Sequence, residues 1–405
     1  MRVALIADDL TGLAAVASEF ERYGLSVGIA LNVASAGALA DRYDIVGIDT
    51  NSRALSPDTA ANVAREAAEA LAEFNPDWMF KQGDSALHGH IAAELSAIAV
   101  ALKAKNVLMA PACPSLGRFT VDGVHRPVED DPDTHIRVVD LWSGYNTVAV
   151  ADDTGPAPTS PGRPLISVVD VMNDAALDAA VRRADSIDER LVAGSVGLAK
   201  SIARHLWATA TQDGKPALIL LGSFQARSRQ QAETLLATGT ARLIELPTSG
   251  EDGDVRDATR AAGQALCDGY HVVLAASPSL ANSTDPTRYP LLDGAVRDRI
   301  ENALRQTTGA IFDEHRNHMC GLIVAGGTTA GIVARDVLKL AALHQVAHLS
   351  DGVAAGLAED IEGRFLPLVT KAGNWGETEV FLLAIRWLQQ THSAQEAETR
   401  SDLND

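Results

Sequence analysis

Carboxylates and glycines follow short apolar runs at several places in the chain. The first such place is the segment 6–12, IADDLTG, where Asp8 and Asp9 come directly after an apolar run. Ligands of open α/β sheets bind at the carboxyl ends of the strands, where such carboxylates can act as general bases. The structural alternative is that one aspartate caps the helix opened by Thr11 and Gly12, while the other is solvated.

A second place is the segment 49–53, DTNSR, which also follows an apolar run. Its arginine, Arg53, could hold a carboxylate through a bidentate fork. An ordinary solvated loop arginine is the alternative interpretation.

The segment 80–90, FKQGDSALHGH, is dense in polar side chains between a predicted strand and a predicted helix. The residues concerned are Lys81, Asp84, Ser85, His88 and His90. The two histidines lack a third ligand at a usual spacing, which disfavours a zinc site. The segment 110–125 follows the next predicted strand and carries Arg118, while Cys113 is expected to be a packed thiol without nucleophilic support.

The second half of the chain carries glycine turns after predicted strands. In 322–338, LIVAGGTTAGIVARDVL, backbone N–H groups at the start of a helix would form a phosphate cradle. The alternative is that Thr328 or Thr329 caps the helix. The segments 221–231 and 370–377 offer a Gly-Ser turn and a lysine in a glycine loop, which fit either a nucleotide site or plain turns.

These segments must be positioned by alternating strands and helices, which predicts an α/β fold with two domains, each a largely parallel sheet flanked by helices. Predicted strands are Val3–Ala7, 26–31, Ile45–Asp49, 107–110, Ala217–Leu221, 272–275 and 322–325. Predicted helices are 13–23, 57–74, 91–103, 193–208, 228–236, 254–267 and 330–341. We expect domains at 1–212 and 213–390, with a frayed tail at 391–405.

The composition bounds the function further. With 405 residues, 46% hydrophobic and 21% charged, the chain is long enough for two globular domains. Its net charge of -19 argues against nucleic acid or a membrane as partner. Three distant cysteines and the absence of an 18-residue apolar run lead us to expect a cytoplasmic protein. Alanine-rich helices with shallow apolar faces are compatible with a homodimer.

Taken in order, the motifs resemble the four-carbon acid sugar kinase family over almost the whole chain. They are ADDLTG (7–12), T-x-SR (50–53), DS-x-L-x-G (84–89), PACPSLGR (111–118), GSVGLA (194–199), GS (222–223), GGTTA (326–330) and KAGNWG (371–376). The resemblance implies a two-domain α/β enzyme that uses ATP and Mg²⁺ to phosphorylate a tetronate, such as threonate or erythronate, or a 3-oxo-tetronate. It also implies an active site in the cleft between the domains.

The same resemblance implies which residues form the sites. The sugar acid would bind Asp8, Asp9, Arg53, Gln82, Gly83, Asp84, Ser85 and His88. ATP would bind Ser223, Gly326, Gly327, Thr328, Thr329, Lys371, Gly373 and Asn374. Phosphoryl transfer needs a carboxylate near the attacking hydroxyl, for which Asp9 is the first candidate and Asp84 the second. No residue is expected to form a dedicated metal site.

The third motif departs from the family pattern K-x-DST-x-RG. Gln82 stands where a lysine is expected, with Lys81 one position early, and His88 replaces the arginine. Two fixed positive charges are therefore missing, whereas the nucleotide motifs are better kept. This contrast favours a working kinase with altered specificity. A non-catalytic or weakly active binding protein is the alternative, and the absence of GxGxxG disfavours a nicotinamide-dependent oxidoreductase.

Overall fold

A computed structural model describes residues 2–128, 130–152, 162–187, 189–212, 214–222, 226–246, 252–275 and 294–402. The chain divides into two compact units, Met1–Leu206 and Trp207–Asp405. We call these the first unit and the second unit.

The described part of the first unit contains a parallel sheet of eight strands in the order β2-β3-β1-β4-β11-β5-β10-β9, together with a small antiparallel sheet, β6-β7-β8. The strands are β1 (Val3–Ala7), β2 (Val27–Ala30), β3 (Ile45–Asp49), β4 (Trp78–Gln82), β5 (Asn106–Ala110), β6 (Phe119–Val121), β7 (Val124–Arg126), β8 (Ile136–Arg137), β9 (Ala149–Asp152), β10 (Leu165–Val168) and β11 (Leu191–Gly194).

The helices that cover this sheet are α1 (Leu10–Glu21), α2 (Gly37–Ala40), α3 (Pro57–Ala72), α4 (Ile91–Ala101), α5 (Asp174–Ser186) and α6 (Val196–Gln212). Local sequence explains where α3 begins, because the Ser56 side chain accepts from Thr59 N–H and Pro57 occupies the first turn. Strand β1 is buried at every residue, as expected for a central parallel strand covered on both faces.

The described part of the second unit forms a sheet of seven strands in the order β13-β14-β12-β15-β18-β17-β16. The strands are β12 (Ala217–Leu221), β13 (Ala241–Glu245), β14 (His271–Ala275), β15 (Gly321–Ala325), β16 (Leu340–Ser350), β17 (Val353–Asp360) and β18 (Phe365–Lys371). The first five in spatial order run parallel, and β17 and β16 add two antiparallel pairings at one edge. The helices are α7 (Ala226–Ala237), α8 (Asp252–Cys267), α9 (Gly294–His315), α10 (Gly327–Ile332) and α11 (Val380–Asp402).

The α/β architecture with largely parallel sheets is thus confirmed, but three predicted elements differ. Residues 193 and 194 end β11 rather than open a helix, because they pair with β4 and β5. The helix predicted over 330–341 ends in a π-turn at Val333–Val337, and β16 starts at Leu340. Helix α11 continues to Asp402, through residues expected to be a frayed tail, because loss of apolar periodicity leaves helix propensity intact.

Candidate functional site

The ends of β1 and β3 bring two carboxylates and one arginine together in the first unit. Arg53 donates from Nε to Asp8 Oδ2 and from Nη2 to Asp8 Oδ1, both at 2.9 Å, and its Nη2 also contacts Asp9 Oδ2. The hydrogen bond to Asp8, aided by the charges of Asp9 and Asp84, raises the pKa of Arg53. The predicted bidentate fork therefore exists, and its carboxylate belongs to this chain.

Asp9 also caps helix α1. Its Oδ1 accepts the Gly12 N–H at 2.9 Å, which confirms the capping interpretation for Asp9. Asp8 is not solvated, since only 3% of the residue is exposed. Helix α1 packs closely against the end of β4, because a Cβ on Gly12 would lie 2.7 Å from Gln82 Nε2.

The turn after β4 places Asp84 beside His88. Their Oδ2 and Nδ1 atoms are 2.5 Å apart, and the His88 N–H also donates to Asp84 Oδ2. Gly89 follows with φ +90°, and a Cβ there would lie 2.5 Å from Asp8 Oδ2. Glycine at 89 thus leaves room for the carboxylate that holds Arg53.

Ser85 is held from two sides by residues of the segment 110–125. Arg118 Nη1 donates to its hydroxyl, and His125 Nε2 lies 2.8 Å from its backbone carbonyl. The other ring nitrogen of His125 contacts Thr120 Oγ1 at 3.1 Å. Burial lowers the pKa of His125, so its ring is neutral near pH 7 and Arg118 supplies the positive charge here.

A buried ion pair lies beneath this edge. Lys81 Nζ is 2.9 Å from Glu94 Oε2, and both side chains are 1% exposed. Glu94 Oε1 accepts from Ser52 Oγ at 2.5 Å, and Ser52 Oγ lies 2.8 Å from Thr50 Oγ1. The pair therefore anchors the loop that carries Arg53, and Lys81 cannot replace the missing lysine at position 82.

The predicted substrate residues fall into two groups. Asp8, Asp9, Arg53 and Asp84 converge, with Ser85 and His88 on the same turn. Gln82 and Gly83 are buried, and Gly83 N–H donates to Gly194 O at 2.8 Å. These two residues shape the floor of the site.

In the second unit, a pocket of about 640 Å³ lies beside the glycine turn after β15. Of the predicted nucleotide residues, Gly326, Gly327, Lys371 and Gly373 line it. Thr328 and Asn374 are exposed outside the lining, and Thr329 is buried, where a Cβ on Gly222 would overlap its hydroxyl. Ser223 lies outside the described residues.

Lys371 is the cation of this pocket. Its Nζ donates to Ser228 Oγ at 3.1 Å and to the carbonyl oxygens of Ala372 and Gly373 at 2.9 Å. Burial, with a smaller effect from Arg227, lowers the pKa of Lys371 to about 8. The ammonium group of Lys371 lies at the pocket wall. A phosphate bound there would stabilise its charged form.

Helix α7 fixes the loop that follows Lys371. Gln231 Nε2 donates to the carbonyls of Trp375, Gly376 and Glu377 at 2.9 to 3.1 Å. Ser228 Oγ also donates to Gly373 O at 2.5 Å. The glycine loop is therefore already ordered in the conformation that lines the pocket.

The glycine turn itself fits a phosphate. Gly326 is the N-cap of α10 with φ +105° and no side-chain cap, so the interpretation of a threonine as N-cap is wrong. Around Gly327, a Cβ would meet no atom within 4 Å. Uncapped N–H groups beside open space are a suitable environment for phosphate oxygens.

Sequence reasoning left several contributing residues unassigned. Glu94 could have been found as a carboxylate within an apolar helix, IAAELSAI, which signals a buried partner. The hairpin of β16 and β17 lines the pocket of the second unit through Val346, His348 and Val353. Its signal is the turn sequence Ser-Asp-Gly at 350–352, which was included in no predicted element.

Within the described part of the chain, no group of three or more His, Cys, Asp or Glu side chains is arranged to hold a metal ion. Among the same residues, no helix is long and apolar enough to cross a membrane.

Comparison with known proteins gives matches over both units. Residues 3–140 match the family model described as a sugar-binding N-terminal domain, and 218–381 match a nucleotide-binding C-terminal domain. A D-threonate kinase of Bordetella bronchiseptica is 28% identical over 96% of this chain and 98% of its own. A D-erythronate kinase of Heliobacterium modesticaldum is 25% identical, over 95% and 97% respectively.

A solved structure from Bordetella bronchiseptica, described as a domain of unknown function with bound citrate and a domain-swapped dimer, is similar in fold. It shares 26% identity with a TM-score of 0.59 and covers 96% of this chain and 99% of its own.

Proposed function

Because this chain belongs to the four-carbon acid sugar kinase family, we propose that it transfers the γ-phosphoryl group of ATP to a hydroxyl of a tetronate or 3-oxo-tetronate. The observation that carries the proposal is the convergence of Asp8, Asp9 and Asp84 around Arg53 at the carboxyl edge of a parallel sheet. Carboxylates and a guanidinium held in one orientation suit a polyhydroxylated substrate, because the carboxylates accept hydrogen bonds from hydroxyl groups and the guanidinium donates to them.

In this proposal, Asp9 accepts the proton of the attacking hydroxyl and Asp84 is the second candidate for that role. The N-cap bond fixes Asp9 in place, so the carboxylate needs no reorganisation when the hydroxyl binds. Arg53 orients the same hydroxyl with an N–H group that its aspartates leave open. Catalysis of phosphoryl transfer is mostly positioning and charge stabilisation, which this arrangement supplies.

ATP would bind in the second unit. The Gly326 N–H donates to Lys371 O at 2.9 Å, so Gly327 would direct its N–H at the phosphates from the glycine turn, and Lys371 would neutralise part of their charge. Mg²⁺ would arrive on the triphosphate, which with water supplies most of its ligands in such sites. A homodimer also remains a proposal, supported by the domain-swapped dimer of the Bordetella relative.

The test is ADP release with Mg-ATP across four- and five-carbon aldonates and their 3-oxo forms. We expect turnover with a four-carbon acid, and a loss of about 10²-fold or more in kcat for Asp9→Ala. The matched control is Asp77→Ala, at an aspartate whose side chain is 60% exposed. Turnover unaffected by Asp9→Ala would contradict the assignment.

The same assay separates the alternative, a non-catalytic binding protein. Two departures from the family pattern motivate this alternative. Gln82, in place of lysine, is buried, and His88, in place of arginine, is bound to Asp84. The alternative predicts a ligand-induced rise in melting temperature with no ADP release from any acid. Turnover at an ordinary rate would exclude it.

A further inference from the structure

We propose that Arg118, with Ser85 beside it, binds the carboxylate of the sugar acid. The inference rests on the proposed function and deepens it, because it assigns to Arg118 the charge-neutralising role that the sequence suggested for Arg53. It rests on how the side chain of Arg118 differs from those of Arg53, Lys81, His88 and His125.

Arg53 is already neutralised. Two of its N–H groups close the bidentate fork with Asp8, and Nη2 also contacts Asp9. A substrate carboxylate would have to replace an aspartate that is 3% exposed and fixed beside Gly89. The Nε and Nη2 edge of Arg53 is therefore occupied by two carboxylates of this chain.

The other nearby cationic groups are also committed. Lys81 is 1% exposed and paired with Glu94, so a ligand cannot reach it. His125 is fully buried, with one ring nitrogen on Ser85 and the other on Thr120. His88 is bound to Asp84.

Arg118 differs from all of these. Within the described residues its guanidinium forms no ion pair, and its one hydrogen-bond partner is the Ser85 hydroxyl. An arginine carries five N–H donors, so most of its fork is available. Its backbone forms paired hydrogen bonds with Cys113 at 2.9 and 3.2 Å, and the preceding residue, Gly117, has the left-handed conformation that closes this turn.

The charge balance requires such a group. Asp8 and Asp9 contact Arg53 and the charge of Asp84 also acts on it, so three carboxylates outnumber one arginine and this part of the site alone would repel an anionic substrate. Arg118 contacts Ser85, the neighbour of Asp84, and adds the positive charge that the acid needs. Carboxylate recognition would thus lie on the β4 side of the site and hydroxyl recognition on the β1 side.

The experiment compares each active tetronate with its own carboxamide, which keeps the hydroxyl groups and lacks the charge. Wild type, Arg118→Gln and Arg118→Lys are measured by calorimetric titration for Kd and by ADP release for KM and kcat. We expect Arg118→Gln to raise the tetronate Kd and KM about 10- to 100-fold, with kcat nearly unchanged. Carboxamide binding should change less than about threefold, and Arg118→Lys should recover part of the tetronate affinity.

Arg65→Gln, at an exposed position of α3, is the matched control for loss of an arginine. Equal weakening of both ligands, or unchanged tetronate binding in Arg118→Gln, would overturn the proposal. A wild-type protein that binds the acid without releasing ADP would refute the kinase, whereas the Kd comparison would still decide the role of Arg118. Binding of neither ligand by wild type would refute both.

Discussion

Gly89 shows how one residue without a side chain sustains the site. Its φ of +90° strains any other residue, and a Cβ would lie 2.5 Å from Asp8 Oδ2. We predict that Gly89→Ala loses about 1–3 kcal/mol of stability and most of the activity, because Asp8 is pushed away from Arg53.

Gly239→Ala is the matched control for Gly89→Ala. Gly239 has φ +76° with nothing within 4 Å of an added Cβ, so it isolates backbone strain from steric contact. Denaturant unfolding and kcat/KM of both variants are the measurements. Full activity in Gly89→Ala would contradict the role of Asp8 in positioning Arg53.

We predict that Lys371 makes ADP binding to the second unit depend on pH. Its pKa of about 8 in the free protein leaves most of the ammonium deprotonated at pH 8.5. A bound phosphate favours the charged form, so ADP binding should take up more protons at pH 8.5 than at pH 6.5. Calorimetric titration in buffers of different ionisation enthalpy measures this uptake. Lys371→Met should abolish it; binding without uptake in wild type would disprove the mechanism.

At this scale, sequence identified the acidic residues and Arg53 but not their partners. The pattern IADDLTG placed Asp8 and Asp9 at a strand end, and the geometry agrees. That Arg53 would close on Asp8 could not be read from spacing, because 45 residues separate them. Three-dimensional contact decides which carboxylate an arginine binds.

Among the elements, β4 and α4 are joined by the buried pair of Lys81 and Glu94, which also holds the loop after β3. We predict that Glu94→Gln costs about 3–5 kcal/mol of stability, because it leaves a buried ammonium without its counter-charge. Urea unfolding measures the loss, and Lys81→Met with Glu94→Leu should recover most of it.

The control for Glu94→Gln lies on the exposed face of α3. Glu69→Gln removes an ion pair with Arg65 whose side chains are 50% and 37% exposed, and should cost about 0.5 kcal/mol or less. Equal effects at positions 94 and 69 would show that burial does not set the strength of these pairs.

Buried parallel strands were the elements most readable from sequence. Val3–Ala7, Ile45–Asp49 and Ala217–Leu221 have the predicted bounds, because strands covered on both faces are continuous apolar runs. Strand β16 was not predicted: the helix predicted over 330–341 overlapped its first two residues and the rest belonged to no predicted element, because AALHQVAHLS is rich in alanine and lacks strict alternation. Its pairing with β17 overrides that local preference.

The whole molecule consists of two units, each with its own candidate ligand site. We predict that Asp9→Ala abolishes the thermal stabilisation by the sugar acid and keeps that by ADP, while Lys371→Met does the reverse. A ligand at about 100 times its Kd stabilises by about 2.7 kcal/mol, which a melting curve resolves. Loss of both responses in either variant would contradict the assignment of separate sites.

The edge strand β16 has a consequence for the handling of the protein in solution. An open row of N–H and C=O groups ordinarily recruits strands from other molecules and seeds aggregation. Here the pairing of β16 with β17 shifts register between Leu340 and Ala342, between His344 and Ala347, and between His348 and Ser350, and Gln345 has φ +50°. A row interrupted in this way is a poor template, so eleven residues of edge strand can face water without pairing with a strand of another molecule.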